Sequence, residues 1–415
     1  MLTTDEAFRL TRFSFSDLAD SASAIRDDFS RHFITYSPST FLPITHVCRS
    51  GCSYCTFVHE HNPQDSPFMP IDDIRRVGAE GVADLCGGAL FTLCENPAIQ
   101  SDVATEWLIN HGYPHVIDYL LDVAHVMLAE FELLPYINSG TIADKDLLRL
   151  KDISVAQGLM LDTLAGRLSE PGGPYYGSPH KSPARRLATL EAAGRVQIPF
   201  STGMLVGVGD TRHERIEGLL ALRDLNARYG HIQEVIIRNF LPKSPEMDEE
   251  YLWSIAAARL VFENTTHIQA SISHARSVTD LIRAGIDDFG RISPVASDGV
   301  HGEKPWPHLT TLSTQLQTES KRLRARAPIY PDYIQKPGFV SDHLKGFISK
   351  LVNANGYLAR SPLDAGDANF TKGKIEAQLD SAKVIDLTKD DAQKKKTGNK
   401  MRERTTNFPT SRPTA

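Results

Sequence analysis

Three thiols fall within eight residues in Cys48-Arg-Ser-Gly-Cys52-Ser-Tyr-Cys55. Thiolates are soft donors suited to zinc or to iron–sulfur clusters. Three of them on one short loop can hold three irons of a cubane cluster. The fourth iron is then open to an outside chelator, to which it can pass an electron. Zinc is the alternative, with a fourth ligand available from His46, His59 or His61. Structural zinc sites usually combine two close ligands with two distant ones, and no second such pair follows the triplet, so the cluster is the stronger reading. Cys86 and Cys94 bring the total to five. An odd number in a long chain with no export signal argues against a disulfide framework.

The elements that must carry this loop alternate along the chain. Short β-type apolar runs occur at residues 41–47, 89–93, 132–138, 158–162, 198–206 and 233–240, with weaker candidates at 267–272 and 291–295. Helical periodicity fills the gaps at 72–81, 114–130, 183–194, 211–229 and 249–262. That rhythm predicts parallel strands with crossover helices, an α/β TIM-type (β/α) barrel, complete or partial. The triplet follows the first predicted strand. In such a barrel that is the C-terminal face, where active sites collect. Residues 1–35 read as a helical N-terminal extension, 36–363 as the barrel, and 364–415 as a polar, disordered tail. From Lys389 onward eight Lys/Arg stand against three Asp/Glu; a disordered terminus is the expectation there rather than an RNA-binding arm.

Composition narrows the class. The 415 residues carry a net charge of −6, which supplies no basic field for nucleic acid. No apolar run approaches the roughly 18 residues of a membrane helix, and Met1-Leu-Thr-Thr-Asp-Glu6 lacks the regions of a secretory signal. The expectation is a cytoplasmic enzyme with no membrane partner.

The cysteine spacing, with an aromatic before the last thiol, resembles the radical S-adenosylmethionine (SAM) superfamily. Longer strings sharpen this. Phe41-Leu-Pro-Ile-Thr45-His-Val-Cys48, Tyr54-Cys55-Thr56-Phe57, Ala89-Leu-Phe-Thr92-Leu, Gly158-Leu-Met-Leu-Asp162-Thr163, Ile198-Pro-Phe-Ser-Thr202-Gly203-Met-Leu-Val-Gly207 and Arg228-Tyr-Gly-His231-Ile-Gln233-Glu234-Val-Ile-Ile-Arg238-Asn239-Phe240 resemble the CofG-type 7,8-didemethyl-8-hydroxy-5-deazariboflavin synthases. The resemblance runs over about residues 35–360. It implies a [4Fe-4S] cluster on Cys48, Cys52 and Cys55, and SAM chelated to the open iron and cleaved reductively to a 5′-deoxyadenosyl radical. It implies a lyase of deazaflavin coenzyme biosynthesis, that of coenzyme F(420). Its substrate joins a hydroxybenzyl group to a ribityl-diaminouracil, made by a partner radical SAM enzyme. Flavodoxin or ferredoxin would supply the electron.

By position, the resemblance assigns SAM contacts to Tyr54, Thr92, Glu95, Asn138, Asp162, Arg186 and Gly203, with Arg185 as the neighbour that leaves Arg186 uncertain by one residue. Asp162 is suited to the ribose hydroxyls, although Glu is more usual there. For the substrate, Gln233, Glu234, Arg238 and Asn239 are polar residues around the sixth apolar run and are expected at the barrel mouth. Glu234 is either a base or a fixed partner of Arg238. Asp287 and Asp288 are further candidates to face the site. Three departures from the family pattern fall in the last two units: Gln269-Ala-Ser-Ile-Ser-His274-Ala, Asp288-Phe289-Gly290-Arg291 and Gly299-Val-His301-Gly302-Glu303. Arg291 puts a large cation where the family has glycine. A paralogue acting on another substrate, or a non-catalytic metal-binding barrel, are the alternatives this leaves.

Overall fold

The computed structural model describes residues 1–48, 66–93, 95, 101–240, 245–272, 277–293 and 309–363, with residues 245–247 described by backbone only. Two capping boxes open the chain. Thr3 with Glu6 starts the helix Thr4–Arg9, and Ser14 with Asp17 starts Phe15–Ser30. The Phe15 N–H donates to Glu249 at 2.9 Å, which ties this second helix to Pro245–Phe262.

Eight parallel strands follow: β1 Phe33–Pro43, β2 Gly88–Thr92, β3 Leu134–Asn138, β4 Ala156–Gly158, β5 Phe200–Val206, β6 Ile232–Asn239, β7 His267–Ala270 and β8 Asp288–Ile292. Each pairs with the next, and β1 pairs with both β2 and β8, so the barrel is complete. The first strand starts at Phe33, eight residues before the apolar run at Phe41. Its early half, Thr35-Tyr-Ser-Pro-Ser-Thr40, hides a strand behind hydroxyls and a proline, which strand composition disfavours. A short ninth strand, β9 Arg322–Ala325, has no apolar run to announce it and pairs with Phe33–Tyr36. The Tyr36 carbonyl accepts from Arg326 N–H and the Pro38 carbonyl from Gly87 N–H. These carbonyls are two residues apart on one edge, so β9 sits below β2 and closes the N-terminal end.

β5 is buried along its whole length, as expected of a strand covered on both faces. A Cβ at Gly203 would lie 1.8 Å from the Ile236 carbonyl oxygen. The close approach of β6 therefore explains this glycine on steric grounds alone. Among the described residues no helix is long and apolar enough to cross a membrane. The chain divides into two compact units, Met1–Gly366 and Asp367–Ala415, and every described residue falls in the first.

One ion pair between a buried carboxylate and a partly buried imidazole gives the fold a pH signature. Asp287, just before β8, accepts from Arg259 and from the Ile268 N–H at 2.8 Å, and pairs with His267, whose ring stacks on Tyr330 at 3.8 Å. Burial alone would lower the His267 pKa, but Asp287 outweighs it and lifts the imidazole to about 9 from 6.5. A group protonated more readily in the folded chain stabilises it fully below the unfolded value and loses that contribution as pH rises through the folded one. The thermal midpoint is therefore expected to fall between pH 6.5 and 9, and His267→Gln to flatten that slope. Parallel curves for the two proteins would remove His267 as the cause.

Candidate functional site

Of the residues expected to hold SAM, Thr92, Glu95, Asn138, Asp162 and Arg186 gather at the C-terminal mouth of the barrel. Thr92 and Asn138 end β2 and β3 side by side in register. Glu95 reaches the turn after β3: the Thr141 N–H donates to it at 3.0 Å, and the Thr141 hydroxyl donates to its other oxygen. Gly158 ends β4 with no side chain because none would fit. A Cβ there would lie 2.4 Å from Asn138 Oδ1 and 2.2 Å from the Tyr136 hydroxyl.

Asp162 continues the β4 direction as an isolated bridge to Met204. Its N–H donates to the Gly203 carbonyl at 3.0 Å, its carbonyl accepts from Leu205 N–H at 2.9 Å, and its φ of +64° is rare for a residue with a Cβ. The carboxylate accepts from Lys181 Nζ at 2.8 Å and Arg186 Nη1 at 3.0 Å. Burial would raise the carboxyl pKa, but these two cations outweigh it and hold the group ionised below the usual carboxylate range. Arg186 also donates to the carbonyls of Met160 and His180. Arg185 is exposed, so Arg186 is the one that points inward. Lys181 escaped sequence reasoning, because its contact with Asp162 spans a loop that carries no strand or helix period.

Cys48 lies five residues beyond β1, half-buried at this same mouth. The intervening chain is pinned: Ile44 N–H donates to the Thr92 carbonyl at 3.0 Å, and the Thr45 hydroxyl to the Pro67 carbonyl at 2.6 Å. Cys52, Tyr54, Cys55, His59, His61 and Cys94 lie outside the described residues. Cys86 is buried just before β2, at the opposite end of the barrel, and burial pushes its thiol pKa well up, the reverse of what a thiolate ligand needs.

The four substrate candidates divide. Arg238 and Asn239 end β6 at the mouth, Arg238 half-buried. Gln233 and Glu234 sit at the other end of β6. There Phe200 pairs with Ile232 and Ser201 with Glu234, so Gln233 is the extra residue of a bulge. Glu234 is fully buried and accepts from Arg291 Nη2 at 2.7 Å, Arg326 Nη2 at 3.1 Å and the Tyr330 hydroxyl at 2.9 Å. Its cation partners are thus Arg291 and Arg326 rather than Arg238. They override the burial that would raise its pKa and bring it to about 2. Asp288 is also in this floor, accepting from Arg326 Nε at 2.6 Å and Nη2 at 3.0 Å. Arg291 crosses the lumen from β8, with its guanidinium carbon 3.4 Å from the centroid of the Tyr136 ring.

No protein-family model matches the chain. It is 34% identical over 333 residues to the 7,8-didemethyl-8-hydroxy-5-deazariboflavin synthase of Methanopyrus kandleri, covering 78% of this chain and 99% of that one. The chain belongs to this synthase family. FO synthases of Streptomyces avermitilis and Mycobacterium tuberculosis are 40% and 36% identical over 339 and 371 residues. The matches cover 77% and 83% of this chain but 39% and 43% of theirs, so it spans about two-fifths of those relatives. The FeFe-hydrogenase maturase HydG of Carboxydothermus hydrogenoformans superposes with a TM-score of 0.63 at 15% identity, covering 78% of this chain and 76% of that one. Methylornithine synthase (PylB) superposes with a TM-score of 0.59 at 16% identity, covering 78% and 94%. At those identities the likeness speaks for the barrel fold.

Family membership is what the sequence strings led one to expect, and of the complete or partial barrel that the strand–helix rhythm predicted, the structure has the complete one. The floor is where this member of the synthase family needs its own account. Arg291 is accommodated because Glu234 neutralises it and Tyr136 supplies an aromatic face.

Proposed function

We propose that the chain is a radical SAM lyase that closes the 7,8-didemethyl-8-hydroxy-5-deazariboflavin ring. Its substrate is 5-amino-5-(4-hydroxybenzyl)-6-(D-ribitylimino)-5,6-dihydrouracil, and ammonia leaves. The observation that carries this reading is the gathering of Cys48, Asn138 and the Asp162–Lys181–Arg186 cluster at one barrel mouth, in a chain that matches nearly the full length of a synthase of this name. The donor set fits the cofactors. Cys48 with Cys52 and Cys55 would hold a [4Fe-4S] cluster; Tyr54, Thr92, Glu95, Asn138, Asp162, Arg186 and Gly203 are assigned to SAM. When bound, cluster and SAM supply abstraction of a hydrogen atom that no side chain could remove. Asp162, held ionised, is suited to accept hydrogen bonds from paired hydroxyls. Arg238 and Asn239 offer a guanidinium and an amide to the substrate at the rim. A separate radical SAM enzyme would supply the adduct, a flavodoxin or ferredoxin the electron, and the cytoplasm the setting.

The test is anaerobic reconstitution with iron and sulfide, then dithionite and SAM, with 5′-deoxyadenosine and deazaflavin fluorescence measured with and without the adduct. Adduct-dependent 5′-deoxyadenosine together with deazaflavin is expected. Slow cleavage with no deazaflavin would overturn the substrate and favour a paralogue, a second reading motivated by Arg291 in the lumen. No cleavage from a protein with a verified cluster would overturn catalysis itself.

A further inference from the structure

We propose that Arg291, on the barrel floor, is a substrate-positioning residue that holds a ring carbonyl of the substrate's uracil. The inference rests on the deazaflavin synthase reading for the identity of the ring. From β8 the side chain spans the lumen, reaching Glu234 on β6 at 2.7 Å, Ser201 on β5 at 3.4 Å and the Tyr136 ring on β3. Tyr136 and Asn138 are alternate residues of β3, and both fill the space that Gly158 leaves empty, so they share a face. The guanidinium over Tyr136 therefore lies one side-chain layer, ~7 Å, beneath the rim residue Asn138.

The chemistry of the ligand follows from what Arg291 has left to give. Its Nε is buried and has no hydrogen-bond partner among the described residues. A buried charged donor left unpaired is costly, and a guanidinium can only donate, so the missing partner is an acceptor. The floor holds two carboxylates, Glu234 and Asp288, against two guanidiniums, Arg291 and Arg326. Its charge is balanced, which favours a neutral acceptor over an anion. A ribityl chain brings hydroxyl donors that would need acceptors of their own. A uracil carbonyl is itself only an acceptor, and the ring N–H groups beside it are fewer than the hydroxyls of a ribityl chain. The uracil edge goes deep, and the ribityl and hydroxybenzyl groups lie toward the rim.

A coupling cycle tests this on the reconstituted full chain with SAM. Dissociation constants are measured for the adduct and for two analogues, each with one ring carbonyl replaced by thiocarbonyl, on wild type and on Arg291→Lys. Lysine keeps a cation for Glu234 but lacks the planar Nε donor. One thiocarbonyl analogue is expected to bind wild type ~10-fold more weakly than the adduct and to show no such loss on the variant, a charge-assisted hydrogen bond being of that order. A merely structural Arg291 would leave both thiocarbonyl penalties the same in the two proteins, and that result overturns the proposal. Arg291→Gln, with its thermal midpoint recorded, repeats the cycle if the lysine variant fails to fold. Wild type that binds neither adduct nor analogue would instead bring down the deazaflavin synthase reading, and this inference with it.

Discussion

Cys48→Ser is expected to lose cluster iron and labile sulfide together, and with them all SAM cleavage above background. A hydroxyl is a poor ligand where a soft thiolate is needed, and a cubane held by three cysteines has no spare donor. The loop position makes this a chemical rather than a folding defect. Cys48 lies past the end of β1, half-buried, while the chain leading to it is fixed by the Ile44–Thr92 and Thr45–Pro67 hydrogen bonds. Cys86→Ala is the control, since that thiol is buried at the other end of the barrel with its pKa driven up. It is expected to cost some stability through a small cavity and to keep full iron and sulfide. Iron, sulfide and 5′-deoxyadenosine measured on both variants decide the matter. A Cys48→Ser protein with wild-type iron and cleavage would move the cluster elsewhere, and equal losses in the two variants would make the effect one of folding.

How far the sequence could be read depended on what each residue reports. β5 and β6 were plain because both are largely covered and each carries a continuous apolar run, Met204–Val206 and Val235–Ile237. The early half of β1 was not, because Thr35, Ser37 and Ser39 point into a polar barrel floor, where hydroxyls rather than methyl groups make the contacts. Depth along a strand is the other hidden quantity. Gln233 and Glu234 look like site residues by type, yet they begin β6, and in a parallel barrel the beginning of a strand is the end away from the chemistry. That signal was available. The pairing of Glu234 with Arg291 and Arg326 was not, since the three residues come from β6, β8 and the segment after β9, and a closed barrel alone makes them neighbours. Asp162 lies within a string that could be read, Arg186 was reached only from the start of its helix and to within one residue of Arg185, and Lys181 needed the fold.

Arg326→Met is expected to be the most destabilising single change in the floor, by ~3–5 kcal/mol, because it strips a partner from two buried carboxylates at once. Arg326 is fully buried, forks onto Asp288 at 2.6 and 3.0 Å, donates to Glu234 at 3.1 Å and stacks over Tyr330 at 3.8 Å. Glu234 retains Arg291, Ser201 and Tyr330. Asp288 keeps only the Thr35 hydroxyl and the Gly290 N–H among the contacts described, and no cation. The deficit should therefore sit mainly on Asp288. A loss of that size consumes a large part of the 5–15 kcal/mol that typically separates folded from unfolded chains. Adding Asp288→Asn to Arg326→Met removes the uncompensated charge and is expected to restore part of the loss, while Asp288→Asn alone leaves Arg326 with Glu234 and costs less than Arg326→Met. Urea unfolding of the two single variants and the double variant measures the coupling directly. A double variant no more stable than Arg326→Met would mean that the stacking on Tyr330 and the closure of the barrel by β9, not the buried charge, are what Arg326 secures.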